Sequence, residues 1–323
     1  MQTDTRKILC VGSCFHAGIA LSCLREAITL TQTIPRAAWN LHHPFSAGRT
    51  YEVYHLTNHH VTTPEFHSHD FYELYFFLSG HTSIVIEEYT YLMHPGDVVI
   101  IPPGRMHRAV QHARQSYYDR FFIYVTRDML CRVSTAEYPI ARYLDEAVAQ
   151  ARLHAHPPDD AFSRALLQLQ DVIVSAPGAD ALGRLNNDCA ITMVLAQLCR
   201  WFSTQGEAGV SHTPRALADV IAYVNAHLTE DVSLDALAER FYVNKYHLLR
   251  SFKAYAQVTL YQYILQKRIN RAKDFLRADT PPAQVCAQCG FHDYSSFYKV
   301  FKKHTGMSPQ QYAAFTHAPE RRI

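Results

Sequence analysis

GFHDYSSFYKVFKKHTGMSPQQY, residues 290–312, decides the fold of the last third of this 323-residue chain. Gly290 ends a short helix, AQVCAQCGF, that Thr280-Pro281-Pro282 opens. Asp293 then caps a second helix, YSSFYKVFKKH, which Gly306 stops. Ser308-Pro309 begins a last helix through Tyr312 and Phe315. A short helix, a tight turn and a second helix make the helix-turn-helix plan.

The same plan occurs once more upstream. SFKAYAQVTLYQY at 251–263 answers VFKKHTGMSPQQY at 300–312; both run Phe-Lys and close on Gln-Tyr. In this first copy Ser233 caps SLDALAERF, the chain turns at Tyr242-Val243, and Asn244 caps NKYHLLRSFKAYA. Leu234, Leu237, Ala238, Leu248 and Phe252 have the spacing of a small core. That leaves Lys245, Tyr246, Leu249, Arg250 and Lys253 on the other side. A long helix, LYQYILQKRINRAKDFL, joins the copies and ends near Arg277. Ahead of both, Thr213-Pro214 starts a helix with the stripe Leu217, Val220, Ile221, Val224 and Leu228. An internal duplication is far more specific than one helix-turn-helix alone.

Charge separates this region from the rest. Residues 214–323 carry 15 Lys and Arg against 9 Asp and Glu, whereas residues 1–213 carry 16 against 20. A basic third on a slightly acidic body points to a polyanionic partner. The whole chain is 48% hydrophobic and 19% charged, which argues against disorder. Eight cysteines in a chain this long make no disulfide framework. Cys286 and Cys289 form a lone C-x-x-C, read as two small core residues rather than half a zinc site.

Working toward the N-terminus, STQGEAGVSHT (203–213) reads as a linker. Residues 131–205 read as a helical region, its strongest stripe being Ile191, Val194, Leu195, Leu198, Trp201 and Phe202. That stripe, within Asp188–Phe202, either pairs two subunits or packs on the chain's own β unit. From 48 to 130, short runs such as YEVYHL, FYELYFFL, TSIVIEE and DVVIIPP predict strands of a small β-barrel or sandwich. Residues 1–47 read as a weakly structured extension. Their apolar run ILCVGSCFHAGIALSCL is broken by His16, shows no convincing cleavage site and is short for a membrane span. The expected setting is therefore the cytoplasm, with no membrane partner.

The C-terminal third strongly resembles the DNA-binding domain of the AraC/XylS family of bacterial transcription regulators. GFHDYSSFYKVFKKHTGMSPQQY follows the family signature nearly throughout, and LDALAERFYVN…LLRSFK and RINRAKDFL match the first motif and the connecting helix. The resemblance implies two recognition helices in successive major grooves, about 34 Å apart. It places Tyr246, Leu249 and Arg250 of the first helix, and Ser295, Ser296 and Lys299 of the second, toward base edges. Lys245, Lys253 and Lys302 are set to reach phosphates. Gln257 stands where the family usually has Gly, so the first recognition helix is expected to end loosely or one residue late.

One stretch still needs a purpose. HSHDFYELYFFLSG, 67–80, puts His67 and His69 on one face of an extended segment, with Glu73 four residues on. With GDVVIIPPGRMH, 96–107, it resembles the two motifs of the cupin barrel; Gln111 stands where Asn is common. In cupin enzymes the residues matching His67, His69, Glu73 and His107 hold one metal ion, and such a set suits Zn, Mn, Fe or Ni. In regulators of this family a cupin-like domain instead binds a small effector, often a sugar. His67, His69, Glu73, Tyr75 and His107 are then the candidate effector-binding residues.

The reading is thus an α+β multidomain chain. A cupin-like sensor barrel (48–130) and a helical linker and dimerisation region (131–205) precede an all-α double helix-turn-helix (214–316). It is expected to be a non-enzymatic, homodimeric regulator of promoter DNA. It would respond to a sugar-like effector, act with RNA polymerase, and hold no cofactor beyond an optional divalent metal. The rival is a metal-dependent cupin enzyme, an oxygenase or sugar isomerase, with a DNA-binding appendage.

Overall fold

The run FYELYFFLS is apolar at nearly every position, as a strand covered on both faces requires. In the computed structural model it forms β2 (Tyr72–Ser79), every residue of which is buried. Tyr72, Leu74, Phe76 and Leu78 face a helical layer, while Tyr75 and Phe77 face a second sheet. The structure describes residues 50–58, 65–112, 117–175, 180–204, 206–208 and 213–316; the reading of 1–47 lies outside them.

Around β2 an antiparallel sheet runs β1 (Tyr51–Asn58), β7 (Tyr118–Val125), β2, β5 (Val98–Ile101), β8 (Arg152–Ala155), β9 (Glu207–Ala208). A smaller sheet runs β4 (Tyr89–Leu92), β3 (Thr82–Ile86), β6 (His107–Gln111). The two share one core of Tyr75, Phe77, Ile84, Ile86, Tyr91 and Phe122. The cupin-like fold is therefore present as two packed sheets rather than one closed ring of strands.

Two strands correct the expected boundary at residue 130. β8 lies inside the region read as helical, and β9 lies inside the linker. RLHA is too short to show alternation, and it becomes a strand only because β5 offers it an edge, Val98 opposite Ala155. Buried Asp97 fastens the join, 3.0 Å from His154 Nε2 and 2.7 Å from His156 Nδ1.

Helices α1 (Arg127–Val133), α2 (Ile140–Ala149), α3 (Asp159–Ser175) and α4 (Ala181–Thr204) cover the outer face of the larger sheet. Ile191, Val194, Leu195, Leu198, Trp201 and Phe202 of α4 are all buried in that same core. The stripe thus packs on its own β unit, and its alternative use as a subunit contact falls. The opposite face leaves Leu182, Leu185 and Met193 exposed, beside Leu167 and Val174 of α3.

The C-terminal region is α5 (Arg215–Ala226), α6 (Leu234–Arg240), α7 (Lys245–Ala256), α8 (Leu260–Arg277), α9 (Pro282–Gln288), α10 (Tyr294–Thr305) and α11 (Pro309–Thr316). The expected caps form: Ser233 Oγ accepts from Ala236 N, Asn244 Oδ1 from Tyr246 N, and Asp293 Oδ1 from Ser296 N. The repeat is structural as well. Thr259 with Gln262, and Ser308 with Gln311, form matching reciprocal caps. Phe252 and Phe301 are fully buried, and Tyr263 and Tyr312 are buried too. Cys286 and Cys289 are core residues, as read.

Gln257 corrects an expectation. It adopts the left-handed conformation, φ 60°, and the helix ends on Ala256. Its backbone N–H donates to Lys253 O at 2.9 Å and its side-chain amide to Ala254 O at 2.8 Å. The cap is neither loose nor late, because the amide ties the turn that glycine would have left bare.

Among the described residues no helix is long and apolar enough to cross a membrane.

Candidate functional site

The residues just before β2 run extended and are pinned to β6 by a two-way backbone bridge. His67 N donates to His107 O at 3.1 Å, and His107 N to His67 O at 2.9 Å. Alternation sends His69 inward, where Glu73 of β2 and His107 of β6 meet it. His69 Nε2 lies 3.0 Å from Glu73 Oε2, and His107 Nε2 lies 3.4 Å from the same oxygen. One ligand-type atom from each of these three residues falls within 4.8 Å of the others. His67 stands next to them, its ring 4.3 Å from that of His107, but does not join the group. The four-residue set read from the sequence is therefore a triad with a neighbour. Tyr75 is buried in the same interior, its hydroxyl paired with that of Tyr118 rather than with the triad.

The hydrogen bonds decide what the triad can hold. His67 Nδ1 is bonded to Glu65 O (3.0 Å), His69 Nδ1 to Phe71 O (2.9 Å) and His107 Nδ1 to Arg105 O (3.0 Å). A carbonyl oxygen only accepts, so each Nδ1 carries a hydrogen. In a neutral ring Nε2 is then a bare lone pair. Burial holds His69 below its ordinary pKa, overcoming its bond to Glu73. Burial also brings His67 down to about 3, with help from His107. For Glu73 burial acts upward, but contacts to His107 and His69 outweigh it and keep the carboxyl below the usual range. With each Nδ1 bonded to a carbonyl, the Nε2 atoms of His69 and His107 face the Glu73 carboxylate, and His107 Nε2 is buried without a hydrogen bond. Two imidazole nitrogens and a carboxylate oxygen converging this closely share a cation, a proton or a metal ion. A carbonyl on Nδ1 that frees Nε2 is also the usual support of a metal-binding histidine. These residues fit a divalent cation.

Sequence reasoning missed Arg120. It shares the inward face of β7 with Tyr118 and Phe122, its guanidinium 4.0 Å from the Tyr118 ring centre. Its Nη1 donates to Leu56 O at 3.3 Å. The available signal was an arginine inside the strand-like run YDRFFIYV.

On the basic third, nearly every residue assigned to DNA is accessible. Tyr246, Arg250 and Lys253 of α7 are exposed, Leu249 is half-buried, and exposed Lys245 pairs with Asp235 at 2.9 Å. On α10, Ser295, Ser296, Lys299 and Lys302 are exposed. Tyr242, in the first turn with φ 53°, is 96% exposed; Tyr294 and Tyr298 add aromatic surface to α10. Between the two readers α8 spans 18 residues, about 27 Å.

A jelly-roll sensor followed by two matched, capped helix-turn-helix units defines a one-chain ligand-responsive DNA-binding protein. Comparison with known proteins agrees. The model described as "AraC-like ligand binding domain" matches residues 50–170, and a "Helix-turn-helix domain" model matches 237–314. The chain is 27% identical to the HTH-type transcriptional regulator YbfI of Bacillus subtilis, over 71% of this chain and 79% of that one. It is 24% identical to the arabinose operon regulatory protein of Salmonella typhimurium, over 69% and 76%. Among solved structures, ToxT of Vibrio cholerae overlaps 84% of this chain and 99% of its own, at 12% identity and a TM-score of 0.34. The chain belongs to the AraC family of transcriptional regulators, with an N-terminal ligand-binding domain and a C-terminal DNA-binding domain.

Proposed function

We propose that the protein reads promoter DNA as a cytoplasmic homodimer, with Tyr246, Leu249 and Arg250 of α7 and Ser295, Ser296 and Lys299 of α10 toward base edges. Lys245, Lys253 and Lys302 hold phosphates. One observation carries this assignment: the two recognition helices bury their equivalent Phe252 and Phe301 and leave their cationic faces open. RNA polymerase is the partner through which bound promoter would be regulated. The exposed apolar face of Leu182, Leu185 and Met193 favours a second copy of the chain there.

The effector site is the interior of the jelly roll. His69, Glu73 and His107 would hold a divalent cation, which when bound supplies a Lewis-acidic anchor for effector oxygens. Tyr75 and Arg120 line the same interior and suit a hydroxylated, sugar-like molecule. Both domain matches are to the parts of a ligand-responsive transcription regulator, so regulation rather than turnover is the role assigned.

Binding of promoter fragments, followed by fluorescence anisotropy across a salt series, tests the assignment. Affinity should fall steeply with salt. Arg250→Ala and Lys299→Ala should each weaken binding about tenfold while leaving the fold intact. Affinity and sequence preference unchanged in both variants would remove those residues from the interface.

A further inference from the structure

The segment that carries the triad has a second face. His67 and His69 turn toward the centre; Ser68 and Asp70, between and after them, turn away and meet α8. Ser68 Oγ accepts from Asn270 Nδ2 at 2.8 Å. Asp70 accepts from Lys273 Nζ at 3.1 Å, from Arg277 Nη2 at 2.9 Å and from the Tyr312 hydroxyl at 3.2 Å. The second ligand-bearing segment is built alike. Gly104 O accepts from Asn270 Nδ2 at 3.1 Å, and Gly104 N donates to His69 O at 2.9 Å. Arg105 steadies His107 through its carbonyl, while its guanidinium pairs with Glu87. Glu87 also takes Lys267 of α8. Met106, one residue before His107, is buried in the core of the first reader.

The α8 residues involved, Gln266, Lys267, Asn270, Lys273 and Arg277, lie on one face at helical spacing. Asn270 and Lys273 are 8% and 6% exposed. Gln266 and Arg277 also bond within the DNA-binding domain, to His304 and Tyr312, but the two buried members of the stripe bond to the sensor, Asn270 to Ser68 and Gly104 and Lys273 to Asp70. With Gln266, which reaches Ser68 Oγ at 3.4 Å, they grip the sensor. The grip reaches both readers: Phe66 N donates to Ala256 O at the end of α7, and Tyr312 belongs to α11.

We propose that the triad and this grip are one device. An ion held by His69, Glu73 and His107 tightens the clasp on α8, and the clasp sets how the two recognition helices stand relative to each other. The wiring is short because the strand alternates. Ligand and latch are neighbouring residues on a single extended segment, so one cannot shift without the other. The sign follows from the clasped state, in which the three ligand residues are already gathered: clasping and ion binding favour each other, and coupling is reciprocal. This inference rests on the cation reading of the centre.

The test uses full-length protein and Zn2+ alone as the probe. Titration calorimetry on wild type and His107→Ala isolates the ion bound at the centre. Asp70→Asn should weaken that site about fivefold or more. Zn2+ should also slow deuterium exchange in residues 260–277 of wild type, and much less in Asp70→Asn. Asn270→Ala, which leaves no buried charge behind, is the second variant if Asp70→Asn does not fold. Zn2+ affinity within twofold of wild type, or tighter, in the folded variant overturns the wiring while leaving the ion site standing. Absence of any His107-dependent Zn2+ binding in wild type overturns the cation reading, and the wiring with it.

Discussion

The two helix-turn-helix units share a skeleton and differ in how they are tied to the sensor. Phe252 and Phe301, Tyr263 and Tyr312, and the Thr259–Gln262 and Ser308–Gln311 caps coincide in both sequence and structure. Yet the first unit merges with the sensor through an apolar core in which Phe66, Val85 and Met106 join Leu217, Val220 and Tyr263. The second keeps a core of its own and meets the sensor through the polar cluster at Asp70. Duplication preserved what each unit needs to fold; attachment diverged, because apolar burial welds while an ion cluster can open. The first reader should therefore move with the sensor and the second should be the adjustable one.

Truncating the equivalent phenylalanines puts the largest strain on this comparison. Phe252→Ala and Phe301→Ala should each cost about 3–5 kcal/mol, as deletion of a fully buried ring does. The consequences should differ in extent. Hydrogen exchange should report loosening of β3 and the 104–107 turn in Phe252→Ala, and loosening confined to α9–α11 in Phe301→Ala. Equal spread in both would erase the distinction.

Asp70→Ala comes next. It leaves buried Lys273 without its carboxylate, which should cost about 2 kcal/mol, less than a fully buried pair because Asp70 is partly exposed. Limited proteolysis should then cut the second unit before the first. Acid should do the same reversibly. Burial pushes the Asp70 carboxyl upward, but Lys273 and Arg277 outweigh it and hold it below its ordinary 3.8. Glu87 is likewise held below 4.5 against its burial, by Lys267 and Arg105. A depressed carboxyl contributes its stability in full above the unfolded value and loses it as pH falls through the folded one. The clasp should thus hold unchanged from pH 7 to about 5 and weaken below about 4. Deuterium exchange of residues 260–277 followed through an acid titration would reveal an early transition near pH 6 if this is wrong.

The smallest effect concerns the caps. Gln257→Gly should stabilise the chain by about 0.5–1 kcal/mol, the relief of a left-handed non-glycine residue less the lost side-chain bond. Gly306→Gln should cost a similar amount. Chemical denaturation of the pair would show whether the first cap is strained or fully compensated by its amide.

Much of the molecule was legible because its signals are local. Helix caps, helical stripes and the left-handed stops depend on residues within a few positions, so the double reader could be drawn from residues alone. The triad was half legible: His-x-His and Glu73 lie within seven residues, but which imidazoles converge depended on the bridge to β6, and His67 was displaced by it. β8 was illegible, since four residues become a strand only beside β5. Arg120 and the α8 grip were hidden for the same reason, their partners lying 64 to 207 residues away.

The order of residues by itself determined the units: where helices begin and stop, that the reader is duplicated, and that α7 and α10 carry cations outward. Only the tertiary structure decided the connections between them. It set which face of α4 is buried, that two imidazoles gather around Glu73, and that Ser68 and Asp70 clasp α8. Local conformation follows from nearest-neighbour sterics and hydrogen bonds, whereas a pairing across two domains exists only once both surfaces have formed and met.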